Sequence, residues 1–273
     1  MRRTAAVALA TALATTGVTV TASTAQGGAG GRPSPAPYER LLDVMFVGNN
    51  WDGTATVVDA RTHQPIRTID TIPDRDERMA EILASPDKLA FYLAIQAAIG
   101  EGNAQYTDDM FTTHDGRLLA VSRPSFADVV GIDLASGEIV WRFPMEGYRS
   151  DHMGVSPDGT RLLVSDSTAN KVHELDIWTG RRTGEFASGD SPHENNYTAD
   201  GERVFHASIG RVYTPTDRPV MREPYDTLKG EQYFQIVRTD GLQIQSRWDM
   251  GRELEEAGYP GMASAVRPMA LAP

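Results

Sequence analysis

The 273-residue chain contains no cysteine. That absence excludes thiol catalysis, thiolate metal sites and disulfide staples, so packing alone must hold the fold, which a chain of this length can manage. Basic residues are in short supply as well: 26 Lys and Arg stand against 37 Asp and Glu, for a formal net charge of −11. The balance disfavours nucleic acid and anionic lipid as partners, and its ordinary meaning is solubility outside a cell. No apolar run after the N-terminal segment reaches the ~18 residues of a membrane span, so none is expected. Also missing are the G-x-S-x-G, H-E-x-x-H, P-loop and dinucleotide fingerprints and the acid spacing of a calcium loop.

What is there begins with "MRRTAAVALATALATTGVTVTASTAQGG": two arginines, an alanine- and valine-rich stretch, then small residues around Ser23 and Ala25. It reads as a secretory signal spanning 1–25. The following "QGGAGGRPSPAP" is glycine- and then proline-rich and reads as a flexible linker over 26–37. The folded part is therefore assigned to 38–273, in a protein expected to be secreted, extracellular or cell-wall associated and bacterial.

Within it a pattern recurs. "HMGVSPDGTRLLVSDSTANKVHELDIWTG" starts at His152, "DMFTTHDGRLLAVSRPSFADVVGIDLASGEIVWRF" at Asp109 and "ENNYTADGERVFHASIGRVYTPT" at Glu194, while "VMFVGNNWDGTATVVDARTHQPIRTI" near the start supplies the later strands without the first. Gly116, Gly159 and Gly201 recur at intervals of 43 and 42 residues, and Asp133 and Asp176 are 43 apart. Such a period marks a repeat architecture. Each unit reads as a four-stranded antiparallel meander, with Asp-Gly pairs supplying the positive-φ residues of its hairpin. One such sheet leaves two faces and two edges open, and repetition about an axis covers the faces. The expected fold is all-β, a β-propeller with about four blades present.

The run Ser156–Gly159, Leu162–Asp166, Asp176–Gly180 and Gly189–His193 resembles the YVTN-type propeller repeat, and "GIDLASGEIVWRF" is similar to the repeat of pyrroloquinoline-quinone dehydrogenases, where a tryptophan docks one blade on the next. Trp141 holds that place here. The resemblance implies a propeller, commonly seven-bladed, but names no activity, because this fold carries lyases, lactonases, quinoproteins, copper enzymes and binding proteins alike.

Three irregularities interrupt the repeat. Between Asp59 and Asp133 about 31 residues exceed the period, and "DRDERMAEILASPDKLAFYLAIQAAIGEG" predicts a helical insertion near 75–100, with Ser85-Pro86 as its start and Gly100 as its stop. A strand-turn-strand over the same residues is the alternative, disfavoured by the alanine-rich "LAIQAAI". "TPTDRPVMREPYDTLKGEQYF" reads as a loop over one mouth of the propeller. "AVRPMALAP" repeats a first strand and stops; it would either close a four-bladed ring or be the cut edge of a longer propeller, the second being the preferred expectation.

In a propeller the first strand of each blade faces the central channel. Register places Asp108-Asp109, Asp151-His152, His193-Glu194 and Arg267-Pro268 on one rim, with Asn195 beside them. Asp109, Asp151, His152, His193, Glu194 and Asn195 are the candidate ligand-binding residues, since carboxylates and imidazoles together can bind ligands, hold a divalent ion or exchange protons. No catalytic residue, metal or cofactor is assigned, two histidines being too few for a multi-histidine copper cluster. His63, His114, His173 and His206 are read as structural or solvated, and Trp51, Trp141, Trp178 and Trp248 as blade packing. The expected function is a secreted binding or scaffold protein holding an unknown small ligand or protein partner at the channel mouth, monomeric if the ring is complete. The alternatives are a quinoprotein dehydrogenase, weakened by the missing vicinal cysteines, and a lyase or lactonase using His193 and Glu194.

Overall fold

The computed structural model describes residues 41–211 and 230–259, together with Val266 and Met269. The expected signal segment, the linker, residues 214–229 of the proline-rich excursion, the rim positions Arg267 and Pro268 and most of the chain-end strand lie outside the described residues.

Fifteen strands, counted among those residues, make four antiparallel sheets in which every neighbour in space is a neighbour in sequence. The first sheet has three strands, β1 (Val44–Asn49), β2 (Thr54–Asp59) and β3 (Pro65–Asp70). The second holds β4 (Met110–Thr112), β5 (Leu118–Arg123), β6 (Asp128–Asp133) and β7 (Ile139–Pro144). In the third are β8 (Ser150–Val155), β9 (Arg161–Asp166), β10 (Lys171–Asp176) and β11 (Arg182–Ala187). The fourth comprises β12 (Pro192–Tyr197), β13 (Arg203–Ser208), β14 (Tyr233–Arg238) and β15 (Gln243–Asp249). These are propeller blades: the innermost strands β4, β8 and β12 stand side by side toward one hub, and the ring is not closed among the described residues.

Local chemistry writes the meander the same way each time. At the first hairpin Gly116, Gly159 and Gly201 take φ of +66°, +68° and +71°. The aspartate before each accepts a hydroxyl from two residues back, Thr113, Ser156 and Thr198 respectively, closing a small side-chain turn. At the last hairpin Asp59, Asp133 and Asp176 each accept two successive backbone amides, those of Arg61 and Thr62, Ala135 and Ser136, and Trp178 and Thr179. The turn then needs a left-handed residue. Gly137 and Gly180 supply it, and His63 takes the same conformation at φ +59°, in the place the repeat gives to glycine.

Apolar layers join consecutive blades. Val57 and Ile69 of the first pack with Leu119, Val121, Val130 and Ile132 of the second. Ala120, Val129 and Trp141 meet Met153, Leu162, Val164, Leu175 and Ile177 of the third. Leu163, Val172 and Phe186 then meet Tyr197, Val204 and Val237 of the fourth. Each such buried aliphatic side chain contributes about 1.5–3 kcal/mol. Trp141 crosses the second junction and donates its indole N–H to the Ile177 carbonyl at 3.1 Å. Its ring lies where Gly131 and Gly180 have no side chain; a Cβ on them would come within 2.2 and 2.4 Å of it. Trp51 departs from the expectation: it sits in the β1–β2 turn, 54% exposed, and packs no blade.

The insertion is helical: α1 (Arg75–Leu83) and α2 (Pro86–Ala98), with Ser85 extended before Pro86. Ile82 and Tyr92 bury against Ile72, Ala104, Tyr106 and Phe126. Beneath α1 the fully buried Arg123 grips Asp128 with two bonds of 2.8 Å and Asp74 at 2.5 and 3.1 Å. A buried guanidinium must be paired in this way to be tolerated. A last helix, α3 (Met250–Glu256), follows β15 and is capped by Asp249, which accepts the Gly251 and Arg252 amides at 3.0 and 3.3 Å. The repeat pattern carries no sign of it.

Candidate functional site

The hub-facing ends of β8 and β12 run close together. A Cβ on Gly154 would meet the Asn195 carbonyl oxygen at 2.3 Å, so β8 approaches β12 there with only a hydrogen between them. This contact brings the start of the third blade, the start of the fourth and the residues before β4 to one place.

Asp151 is buried. Its Oδ2 accepts from Arg149 and, at 2.7 Å, from the Ser167 hydroxyl, while Oδ1 accepts the His152 amide at 3.1 Å and lies 3.9 Å from His152 Nε2. His152 turns its Nδ1 to Asp109 Oδ2 at 3.1 Å, and the same oxygen accepts the Met153 amide at 2.9 Å. The His193 ring stands 4.0 Å from that of His152, centroid to centroid. His193 Nδ1 is buried; Glu194 Oε1 stands 3.2 Å away but out of line for a hydrogen bond, and Nδ1 has no hydrogen-bond partner among the described residues.

Asn195 lies just beneath, 3% exposed. Its amide nitrogen donates to Ser165 Oγ at 2.8 Å and faces the His152 and His193 carbonyls at 3.3 Å. Its oxygen pairs with His206 Nδ1 at 2.9 Å, as does the Glu194 carbonyl. Because both partners of Nδ1 are acceptors, the proton sits on that nitrogen, and Nε2 accepts from the Ser188 hydroxyl at 2.7 Å. Burial pushes His206 down to about 3, so the ring is neutral at ordinary pH.

Charge above this layer is unbalanced. Burial opposes protonation of His152, but the hydrogen bond to Asp109 and the charges of Asp109, Asp151 and Asp108 outweigh it and hold the imidazole up to about 9. Burial and the repulsion of Asp151 push Asp108 up to about 6. For Asp151 the burial penalty is overcome by Arg149, His193 and His152, and its carboxyl sits below the ordinary range.

The structure thus brings five of the six expected residues, Asp109, Asp151, His152, His193 and Glu194, into one cluster, Asp151 being its buried member, and places Asn195 under it as a tie between strands. Sequence reading missed Arg149 and Ser167, which fix Asp151, and Ser165, which with His206, read there as structural or solvated, fixes Asn195. Two overlapping groups, Asp151–His152–His193 and Asp108–Asp109–His152, have ligand-type atoms within 4.8 Å of one another. A third, Glu146–His173–Glu185, lies on the outer side of the third blade, where Lys171 and Arg182 already neutralise both glutamates. A separate crevice of about 220 Å³ runs between α2 and the blades, lined by Tyr92, Phe126, Arg142 and Tyr148. None of the expected residues lines it.

No family model and no curated protein matches the chain. Among solved structures it is similar to a chain in the "Crystal Structure of Mitotic Checkpoint Complex", with a TM-score of 0.49 and 11% identity, over 76% of this chain and 47% of that one. The chain spans about half the length of that protein. The blade assignment rests on the sheets and their shared hub rather than on this likeness. No helix among the described residues is long and apolar enough to cross a membrane.

Proposed function

We propose that the protein is an exported propeller of the YVTN type that binds a small, positively charged or donor-rich ligand at the hub rim formed by Asp109, Asp151, His152, His193 and Glu194. One observation carries the reading: residues from three successive blades converge on a cluster richer in carboxylates than in cations, directly above a layer in which Asn195 and His206 are fully engaged in hydrogen bonds. The lower layer holds; the upper one is left to receive. Organic cations such as diamines and amino sugars are the probes, with the melting temperature of the chain as readout. A rise with at least one of them, lost in both Asp151→Asn and His193→Ala, is the expected result. A flat response of the unsubstituted protein to the whole panel counts against an organic ligand at the rim.

A second reading, a lyase or lactonase, is favoured by the 3.2 Å approach of His193 to Glu194, which could serve as an acid–base pair. It requires lactone turnover that disappears in His193→Ala while the far-ultraviolet circular dichroism stays unchanged. The quinoprotein alternative gains nothing from Trp141, whose position is explained by blade packing.

A further inference from the structure

We infer that Asp151, His152 and His193 form a binding site for a divalent transition-metal ion of the Zn²⁺ class. The inference rests on the reading of the rim as a binding site and names its occupant.

Three features of the geometry point there. The ligand-type atoms of the three residues lie within 4.8 Å of one another. Bonds of about 2.0–2.2 Å to an ion require the three side chains to close further around it. Asp151 and His152 are also anchored through one atom while another faces the group, Asp151 Oδ1 accepting only the His152 amide besides. Asp151 Oδ2 is fixed by Arg149 and Ser167, leaving Oδ1 directed at the imidazoles. His152 is oriented through Nδ1 by Asp109, leaving Nε2 facing Asp151. A histidine held by a carboxylate through one nitrogen and ligating through the other is the usual arrangement of a metal-bound imidazole. His193 offers a buried Nδ1 without a hydrogen bond, a group that costs free energy unless something ligates it.

Charge points the same way. Asp108, Asp109, Asp151 and Glu194 surround the two rings, and among the described residues Arg149 is the guanidinium paired into the group. A dication would offset that excess. The donor set selects among ions: two imidazoles and a carboxylate suit Zn²⁺ and its first-row neighbours, whereas Ca²⁺ and Mg²⁺ take oxygen ligands. The Glu146–His173–Glu185 group supplies the contrast. It has a similar composition, but its carboxylates are already paired with Lys171 and Arg182, and His173 Nε2 faces Asp166 at 3.3 Å.

The test uses the full chain without an affinity tag, stripped with a chelator and titrated with Zn²⁺, Co²⁺ and Ca²⁺ in a calorimeter. One Zn²⁺ per chain is expected, along with a visible Co²⁺ absorption band and no Ca²⁺ uptake. Binding should weaken at least tenfold in His152→Ala and in His193→Ala and stay unchanged in Glu146→Gln. Should the substituted proteins misfold, histidine modification mapped on the unsubstituted chain gives the same answer. Zn²⁺ should protect His152 and His193 while leaving the exposed His63 and His114 reactive. No Zn²⁺ uptake, or uptake that protects neither rim histidine, overturns the inference. If an organic cation still raises the melting temperature in that case, and does so through Asp151 and His193, the rim reading survives without its metal.

Discussion

At the junction of the second and third blades, the outer part of the contact is Trp141, Val129, Met153, Leu162, Val164, Leu175 and Ile177, packed without a charge among them. Further in, where β8 of the third blade meets β12 of the fourth, the next junction presents Asp151, His152, Asn195, Ser165 and His206. Both regions are buried, but they contribute differently. Apolar surfaces gain free energy by leaving water whatever their exact mates. Buried polar groups break even only when every donor finds an acceptor. The outer layer therefore carries stability, and the inner layer carries geometry.

The strongest way to break this contrast is to empty the outer layer. Trp141→Ala should cost about 3–5 kcal/mol, read as a lowered urea midpoint, with Zn²⁺ protection of His152 intact in whatever remains folded at low denaturant. A cost below about 1 kcal/mol would mean that the blades are held from the hub instead. Next comes the inner tie: Asn195→Ala removes one of the two acceptors of His206 Nδ1 and the amide that donates to Ser165 Oγ, and should cost about 1–3 kcal/mol. Unlike Trp141→Ala, it should also shift the reactivity of both rim histidines.

Proton linkage sharpens the comparison at smaller cost near neutral pH. His206 sits at about 3 in the folded chain against an ordinary 6.5, so between those values the unfolded chain takes up a proton that the folded one refuses. Stability should fall as the pH drops from about 6.5 toward 3, and His206→Asn should flatten that limb. His152 runs the other way. Held up to about 9, it contributes fully below about 6.5, and that contribution is lost as the pH rises through 9. Asp109→Asn should reduce the alkaline loss, Asp151 and Asp108 still acting on the ring, as seen in chemical denaturation across a pH series of the metal-free protein. The smallest effect belongs to the outer surface: Glu146→Gln gives up partly exposed ion pairs with Lys171 and Arg182 and should move stability by less than about 1 kcal/mol.

Much of the architecture was legible in the order of residues. The Asp-Gly interval located every first hairpin, and "TRLLVSD", "KVHELDI" and "RRTGEF" correspond to β9, β10 and β11. The alanine-rich stretch after Ser85-Pro86 correctly announced α2, while α1 was covered only by the wider insertion, since its mixed polar sequence has no strong cap. The rim residues could be found because register decides which side chains begin each inner strand. Their supports could not. Ser165 lies mid-blade in a strand that reads as ordinary repeat, and its partner Asn195 comes from the neighbouring blade, a relation the period does not encode; His206 meets Asn195 within its own blade, a side-chain pairing that the strand pattern does not spell out. Trp51 misled because its place in the repeat is a turn, and a turn in the first blade has less to pack against.

Gly154 sets a limit on how this molecule can change. The third and fourth blades are spaced by an atom that is not there, and even the smallest added side chain would act as a spacer, tilting one blade against the other. Variation can reshape the ligand preferences of the rim through its side chains, but the aperture those side chains share is fixed by one missing methyl group.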